Sequence, residues 1–278
     1  MALKLMYITN DTVVAKIAED NGVDRIFMDM EYIGKEIRQP GDTVKSHHTV
    51  EDVRRVRSAI KKSEIMVRVN PLTEKSGDFC GSECEINAVI EAGADVVMLP
   101  MAKNACDLER FVKLVAGRAK TMFLLETKEA AENLDKILAV KGIDEVHIGL
   151  NDLHLSLGEH FMFEPLADGT VDMLTAKIKK AGIPYGFGGI ARIGYGMLPA
   201  ERVITEHYRL GSSFAILSRS FCNIGNITDE KEVREIFGRG VKSIRDFEKS
   251  LSVLAPSDFE ENRLEVVRLV GEIVGQVK

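Results

Sequence analysis

The chain has 278 residues, of which 45% are hydrophobic and 29% charged, and its formal net charge is −6. The acidic balance argues against a nucleic-acid-binding protein, and no stretch approaches the ~18 apolar residues of a membrane span or the apolar core of a signal peptide. Four cysteines (Cys80, Cys84, Cys106 and Cys222) are too few for a disulfide scaffold at this length, so we expect free thiols in a soluble cytoplasmic protein.

Short apolar runs alternate with amphipathic stretches along most of the chain. Eight runs predict strands: 3–9, 25–31, 64–72, 94–101, 120–126, 144–150, 183–189 and 212–218. Helical patterns separate them: 12–22, 49–62, 82–93, 107–117, 127–142, 171–182 and 199–211. The apolar runs are nearly continuous, which is typical of parallel strands buried on both faces.

The spacing of these units favours one fold class. Six of the predicted helices end in a glycine, the usual left-handed C-cap: Gly22, Gly93, Gly117, Gly142, Gly182 and Gly211. Eight strand–helix units in about 220 residues fit a closed (β/α)8 TIM barrel. An open doubly wound sheet is the alternative, but no GxGxxG motif follows the first strand. We therefore predict an α/β barrel.

Two further helices are predicted after the eighth strand, within residues 229–278. The last has a wide apolar stripe formed by Val266, Val267, Val270, Ile273, Val274 and Val277. Such a stripe must bury itself either on its own barrel or on a neighbouring subunit. We interpret residues 1–278 as one barrel domain whose C-terminal helices are candidates for exchange between subunits.

Active sites of such barrels lie at the carboxyl ends of the strands, so the polar residues there are the candidates. They are Asp29, Glu31, Tyr32, Arg68, Asn70, Glu126, Gly149, Asn151, Asp152 and Arg219. Glu126 follows a strongly apolar run, where an unpaired carboxylate would be costly to bury. Asp152 follows the next strand, so both carboxylates should meet at one mouth and form a site for Mg²⁺ or Mn²⁺.

Three other interpretations remain open at these positions. Glu126 could form a structural ion pair with Arg68, whose planar fork also suits a substrate carboxylate. Asp152 could N-cap the turn that follows it, LHLSLG (153–158). The glycines of residues 186–189, with Arg219, are compatible with a phosphate site or with tight packing. His147 follows the inward-facing pattern, which favours a packed residue.

At these residues the chain resembles the HpcH/HpaI aldolase/citrate lyase family of metal-dependent carbon–carbon lyases. The resemblance rests on four segments: VRVNP (67–71), GADVVMLPM (93–101), LLETKEAAENLDKIL (124–138) and GIDEVHIGLNDLHLSLG (142–158). It implies a (β/α)8 barrel, a divalent metal, and trimers or hexamers that exchange the last helix.

The resemblance also implies roles for individual residues. Glu126 and Asp152 match the metal ligands of the family, and Arg68 matches the arginine that binds the oxo-acid end of the substrate. The turn from Gly149 through Leu150 and Asn151 matches the one whose backbone amides hold the pyruvate carboxylate. The implied mechanism is stabilisation of an enolate by the metal.

One departure from the family lies after the second strand. The family's aldolases place a histidine directly after the acid there, whereas this chain has Glu31-Tyr32. The following loop contains His47 and His48, and either is a candidate for the missing base because histidine titrates near neutral pH. Tyr32 is the other candidate, and Glu31 is a candidate for substrate binding.

We therefore predict a metal-dependent aldolase or lyase that acts on a small 2-oxo acid through a pyruvate-like enolate. Three alternatives remain: a lyase of CoA esters related to the citrate lyase β subunit, a lyase of phosphorylated substrates, and a barrel that binds metal and oxo acid without turnover. We expect a homo-oligomer that binds neither nucleic acid nor membrane.

Overall fold

The structure is a computed structural model that describes residues 2–35, 46–222 and 229–277. Eight parallel strands form a closed barrel in which β1 pairs with β2 and β8. The strands are β1 (Lys4–Ile8), β2 (Arg25–Asp29), β3 (Glu64–Arg68), β4 (Val96–Leu99), β5 (Lys120–Leu125), β6 (Glu145–Ile148), β7 (Tyr185–Ile190) and β8 (Phe214–Leu217). Each corresponds to one of the apolar runs, so the predicted TIM barrel is confirmed.

Helices cover the outside of the barrel. Within the described ranges they are α1 (Thr12–Asp20), α2 (Val50–Ala59), α3 (Ser82–Glu91), α4 (Ala105–Val115), α5 (Lys128–Glu132), α6 (Leu134–Leu138), α7 (Leu150–Leu157), α8 (Glu164–Ala167), α9 (Thr170–Lys180), α10 (Ala200–Leu210), α11 (Glu230–Leu251) and α12 (Pro256–Val277). The six glycines expected as C-caps all have positive φ angles. No helix in the described part of the chain is long and apolar enough to cross a membrane.

Besides the short helix α8, which no sequence pattern predicted, the structure differs from the sequence prediction at two places. Residues 127–142 form two short helices instead of one, because Asn133 interrupts them: its side-chain amide donates to the Glu129 carbonyl at 2.9 Å. The helix α7 begins directly after β6, where the sequence had suggested only a turn. This second difference changes the interpretation of Asp152.

Side chains pack on both faces of the strands. The barrel interior holds Met6, Phe27, Met66, Val96, Met98, Met122, Leu124 and Phe214, and a larger apolar layer lies between strands and helices. On the outside, α12 packs against α10 and α8 of the same chain and buries Val266 and Val270. The Asn262 amide donates to Glu206 at 2.8 Å and fixes α12 to α10. Exchange of α12 between subunits stays a prediction.

Candidate functional site

A cavity of about 180 Å³ opens at the carboxyl ends of the strands. Its polar lining residues are Arg68, Glu126, His147, Asn151 and Asp152, and its apolar lining residues are Ile8, Phe27, Met98, Leu124, Leu150, Met162 and Ile216. Gly149, Gly188 and Gly189 add backbone to the wall. The polar lining residues therefore come from β3, from the end of β5, from β6 and from the first turn of α7, and apolar residues lie among them.

Glu126 lies directly after β5 and its side chain is almost completely buried. Its Oε1 accepts a hydrogen bond from the Met101 N–H at 3.0 Å. Burial and the nearby charge of Asp152 raise the pKa of Glu126 to about 8, although Arg68 acts in the opposite direction. Met101, which donates this bond, has a φ of 57°, an uncommon conformation for a residue with a side chain.

Asp152 lies in the first turn of α7 and does not cap it. The N-cap position is occupied by Gly149, which has no side chain to accept the free N–H groups. Asp152 lines the same cavity as Glu126 and raises its pKa, so the two carboxylates are close in space. The first turn of α7 thus presents a carboxylate together with the backbone N–H groups of Leu150 and Asn151, which the N-cap residue has no side chain to accept.

Gly149 is required by the position of Glu126. A Cβ atom at Gly149 would lie 3.0 Å from the Glu126 Cβ, 3.1 Å from Glu126 Oε2 and 3.1 Å from Leu124 Cδ1. Distances in this range are tighter than nine in ten real Cβ contacts, so the neighbouring atoms would have to move. The glycine after β6 therefore allows the carboxylate of the neighbouring strand to pack against the backbone.

Within the described ranges, Arg68 forms ion pairs with Asp29 of β2 and with Glu31, two residues after that strand. Its Nε and one terminal nitrogen each donate to an oxygen of Asp29 at 2.9 Å, and its other terminal nitrogen lies 3.4 Å from Glu31. Burial would lower the pKa of Arg68, but Asp29, Glu31 and Glu126 together raise it. The alternative of a direct structural bridge between Arg68 and Glu126 is therefore not what this geometry shows.

The other candidates after the second strand lie farther from the cavity. Tyr32 is 51% exposed and packs edge-on against Phe79 at 6.5 Å between ring centroids. His47 is exposed, whereas His48 is half-buried and its Nδ1 accepts from the Asp29 N–H at 3.0 Å. None of these three, nor Glu31, is among the described residues that line the cavity. Most of the loop before His47, residues 36–45, lies outside the described residues.

A buried charge cluster contains Asp29, which the sequence indicated only as a polar strand end, and Lys35, which it did not indicate. Asp29 binds Arg68 on one side, and the Lys35 Nζ donates to Asp29 Oδ2 at 2.8 Å on the other. The Lys35 Nζ is also 3.8 Å from Glu31, and the lysine is almost completely buried. Burial and Arg68 lower the pKa of Lys35, despite the two acids. Asp29 was recognisable in the sequence because it ends an apolar strand. Lys35 was not, because it follows a turn and belongs to no strand or helix pattern that would indicate a buried position.

The glycines of β7 have separate packing reasons. A Cβ at Gly186 would lie 2.1 Å from the Phe214 carbonyl oxygen, and one at Gly188 would lie 2.8 Å from Leu150 Cδ1. Gly188 also has a φ of 52°. Arg219 lies at the barrel mouth, where burial and Arg68 lower its pKa and Asp29 opposes that change. Packing is sufficient to explain Gly186 and Gly188, whereas a Cβ at Gly189 would make only ordinary contacts, 3.5 Å or longer.

The donor set around Glu126 fits a hard divalent cation. A buried carboxylate whose pKa is raised is one that a positive charge would stabilise, and carboxylate oxygens are the ligands such cations prefer. Among the described residues, no group of three or more His, Cys, Asp and Glu side chains is arranged to hold a metal ion. A cation bound by Glu126 and Asp152 would therefore take its remaining ligands from water or a bound molecule.

Comparisons with known proteins agree with this architecture. A sequence profile of the HpcH/HpaI aldolase/citrate lyase family matches residues 5–183. A hydroxypyruvate/pyruvate aldolase of Rhizorhabdus wittichii is 40% identical over 81 residues, which are 25% of this chain and only 31% of that enzyme. A 2-keto-3-deoxy-L-rhamnonate aldolase of Escherichia coli is 23% identical over 209 residues, or 64% of this chain and 71% of that enzyme.

The solved structure of an HpcH/HpaI aldolase from Desulfitobacterium hafniense has the same fold, with a TM-score of 0.60. It is 16% identical in sequence, and the match covers 88% of this chain and 93% of that one.

Proposed function

The chain belongs to the HpcH/HpaI aldolase/citrate lyase family, and we propose that it is a divalent-metal-dependent carbon–carbon lyase that acts on a 2-oxo acid. The observation that carries the proposal is the pair of carboxylates in one cavity, Glu126 with its raised pKa and Asp152 in the first turn of α7. The names of the two aldolase relatives, for hydroxypyruvate/pyruvate and for 2-keto-3-deoxy-L-rhamnonate, support the substrate class.

Glu126 and Asp152 would hold Mg²⁺ or Mn²⁺. The bound cation would take up the negative charge that develops on the oxo oxygen of the substrate when the carbon–carbon bond breaks. Glu126 must be ionised to bind it, and the hydrogen bond from Met101 holds one carboxylate oxygen in place while the other faces Gly149.

The carboxylate of the substrate would bind at the start of α7. The N–H groups of Leu150 and Asn151 belong to a helix whose N-cap, Gly149, has no side chain, so an anion can accept from them. Arg68 contributes a positive charge on the same side of the cavity. Asp29 holds the guanidinium in a fixed plane through two hydrogen bonds, with Glu31 beside it.

The proton-transfer group belongs to the segment after β2 in this proposal. Tyr32, His47 and His48 are its candidates, and His48 is the half-buried ring among them. Its Nδ1 accepts from the Asp29 N–H, which orients the ring and places the proton of the neutral form on Nε2, so His48 can accept a proton only at Nδ1, after that bond breaks. Burial lowers the pKa of His48, which favours its neutral form near neutral pH.

Exchange of the methyl protons of pyruvate in D₂O, followed by NMR, tests the proposal without knowledge of the second substrate. We expect exchange with Mg²⁺ or Mn²⁺ and none after EDTA treatment. Titration calorimetry should show that Glu126→Gln and Asp152→Asn no longer bind Mn²⁺. The control variant Glu132→Gln changes an exposed carboxylate on α5 and should bind Mn²⁺ as the native protein does.

Two results would contradict the proposal. Exchange that continues unchanged in EDTA would remove the metal from the mechanism. Absence of exchange when metal and pyruvate are both shown to bind would instead support a barrel that binds these ligands without turnover.

A further inference from the structure

Lys35 is a buried cation that no step of the proposed reaction uses. It follows the second strand and is only 3% exposed. Its Nζ donates to Asp29 Oδ2 at 2.8 Å and lies 3.8 Å from Glu31 Oε2. The two acids are themselves buried, with 0% and 2% exposure. Because a charge is costly to bury unless it is paired, Lys35 and the two acids depend on one another.

Arg68 contacts the same two acids. Its Nε and one terminal nitrogen each donate to Asp29 at 2.9 Å, and its other terminal nitrogen lies 3.4 Å from Glu31. Each of the two cations therefore lies within 4 Å of both carboxylates, and the two positive charges balance the two negative charges. Of these four side chains, Arg68 is the one among the described lining residues of the cavity.

The charge of Lys35 determines how strongly Arg68 can attract an anion. A guanidinium has five N–H groups and the bonds to Asp29 use two of them, so Arg68 keeps donors for a bound carboxylate. If Lys35 were neutral, Arg68 would be the one cation left in the cluster, and the cluster would be negative. One uncompensated charge about 8 Å away, at an effective dielectric constant of about 20, weakens the binding of an anion by about tenfold or more.

We propose that Lys35 is a positioning residue that acts through Asp29 and Glu31: its charge balances these acids, so that Arg68 keeps a net attraction for the carboxylate of the substrate. The inference rests on the proposed function, because it takes a carboxylate as the group that Arg68 binds. It assigns a role to a residue that no sequence pattern indicated.

Lys35→Met nearly keeps the length of the side chain and removes its charge. In the exchange of pyruvate protons with Mn²⁺, the KM for pyruvate should rise by about tenfold or more, because the remaining cluster is negative. The Kd for Mn²⁺ should stay equal or fall, because the same negative charge attracts a cation. A lysine that only supported the fold would weaken the binding of both ligands together. That result, or an unchanged KM, would overturn the inference.

Glu31→Gln keeps the inference testable even if Lys35→Met does not fold. In the double variant Lys35→Met/Glu31→Gln the charges balance again, so the KM for pyruvate should return close to the native value. In Glu31→Gln alone the cluster has an excess of positive charge, so the KM should fall below the native value. A double variant as impaired as Lys35→Met, or a higher KM in Glu31→Gln, would contradict the proposal.

Lys120→Met is the matched control. Lys120 also pairs with an acid of an ion cluster, Glu64, at 2.6 Å. It is the first residue of β5, however, whereas the cavity lies at the carboxyl ends of the strands. Its substitution should leave the KM for pyruvate and the Kd for Mn²⁺ unchanged, and an equal rise of the KM in both lysine variants would contradict the proposal. Failure of the native protein to bind Mn²⁺ and pyruvate would instead refute the proposed function, and the inference with it.

Discussion

Glu126, Gly149 and Leu124 meet where β5 and β6 end, and the contact depends on a missing side chain. A Cβ at position 149 would lie 3.0–3.1 Å from atoms of the other two residues. The backbone of Gly149 has ordinary angles (φ −83°, ψ 84°), so an alanine there would cause crowding and not backbone strain, and Glu126 or Leu124 would have to shift to accommodate it. The glycine therefore controls where the Glu126 carboxylate lies.

Gly149→Ala should weaken Mn²⁺ binding by about 10- to 100-fold, because the added methyl group displaces Glu126 as loss of a supporting contact does in other metal sites. The circular dichroism spectrum should be unchanged, because the barrel does not need this glycine for its fold. Gly271→Ala is the control: a Cβ there meets nothing within 4 Å. Equal affinity in Gly149→Ala and the native protein would show that Glu126 is not positioned in this way.

At the scale of elements, one buried carboxylate joins α1 to the connection between α2 and β3. Glu19 Oε1 accepts from the N–H groups of Lys61, Lys62 and Ser63 at 2.7, 2.5 and 3.0 Å. Its other oxygen pairs with Lys16 at 2.9 Å. Burial alone would raise the pKa of Glu19, but these bonds lower it from 4.5 to about 2.

This lowered pKa predicts a specific acid sensitivity. Because the folded state holds Glu19 ionised more strongly than the unfolded state, its contribution is present above about pH 4.5 and is lost as the pH falls towards 2. Glu19→Gln should reduce the free energy of unfolding at pH 7 by about 1–3 kcal/mol. The free energy of unfolding of this variant should also decrease less steeply than that of the native protein between about pH 4.5 and 2. Urea unfolding at several pH values measures this difference, and Glu91→Gln, which changes an exposed carboxylate, is the control. Parallel curves of unfolding free energy against pH for the native protein and Glu19→Gln would refute the prediction.

At the scale of the whole molecule, a buried ion cluster connects distant strands across the barrel floor. Arg25 of β2 is completely buried and donates to Glu145 of β6 at 2.7 Å and to Glu64 of β3 at 2.6 Å. Lys120 of β5 pairs with the same Glu64. Methionine sulfur atoms of Met6 and Met66 surround the guanidinium at 3.8 and 3.9 Å. The cluster closes the end of the barrel opposite the cavity.

Removing Arg25 alone should destabilise the barrel more than removing Arg25 and Glu145 together. Arg25→Met leaves Glu145 buried without its partner and should lower the free energy of unfolding by about 3–5 kcal/mol. The double variant Arg25→Met/Glu145→Leu should recover most of that loss, because it removes both buried charges together. Urea unfolding of both variants measures the difference, and a double variant that is less stable than Arg25→Met would show that the cluster itself stabilises the barrel.

The assembly of subunits stays a proposal at this scale. In the structure α12 buries Val266 and Val270 on its own barrel, while Leu264 and Val267 are more than a third exposed at 55% and 39%. An apolar stripe divided in this way is compatible with a trimer or hexamer, as the family resemblance implies. Light scattering would give the number of subunits directly.

The sequence by itself determined the strands, the barrel and the positions of Glu126, Asp152 and Arg68. These follow from local patterns: a strand buried on both faces is apolar throughout, and a polar residue at its carboxyl end stands out. Profile matching over residues 5–183 confirms the family that the motifs indicated.

Only the tertiary structure decided which groups meet. It showed that Gly149, and not Asp152, occupies the N-cap of α7. It also showed that Arg68 pairs with Asp29, and that Lys35 binds the same carboxylate. It also left Nδ1 of His147 without a described partner. Local patterns report which side of a strand a residue faces. Its partners come from other strands and loops, and are determined only when the barrel closes.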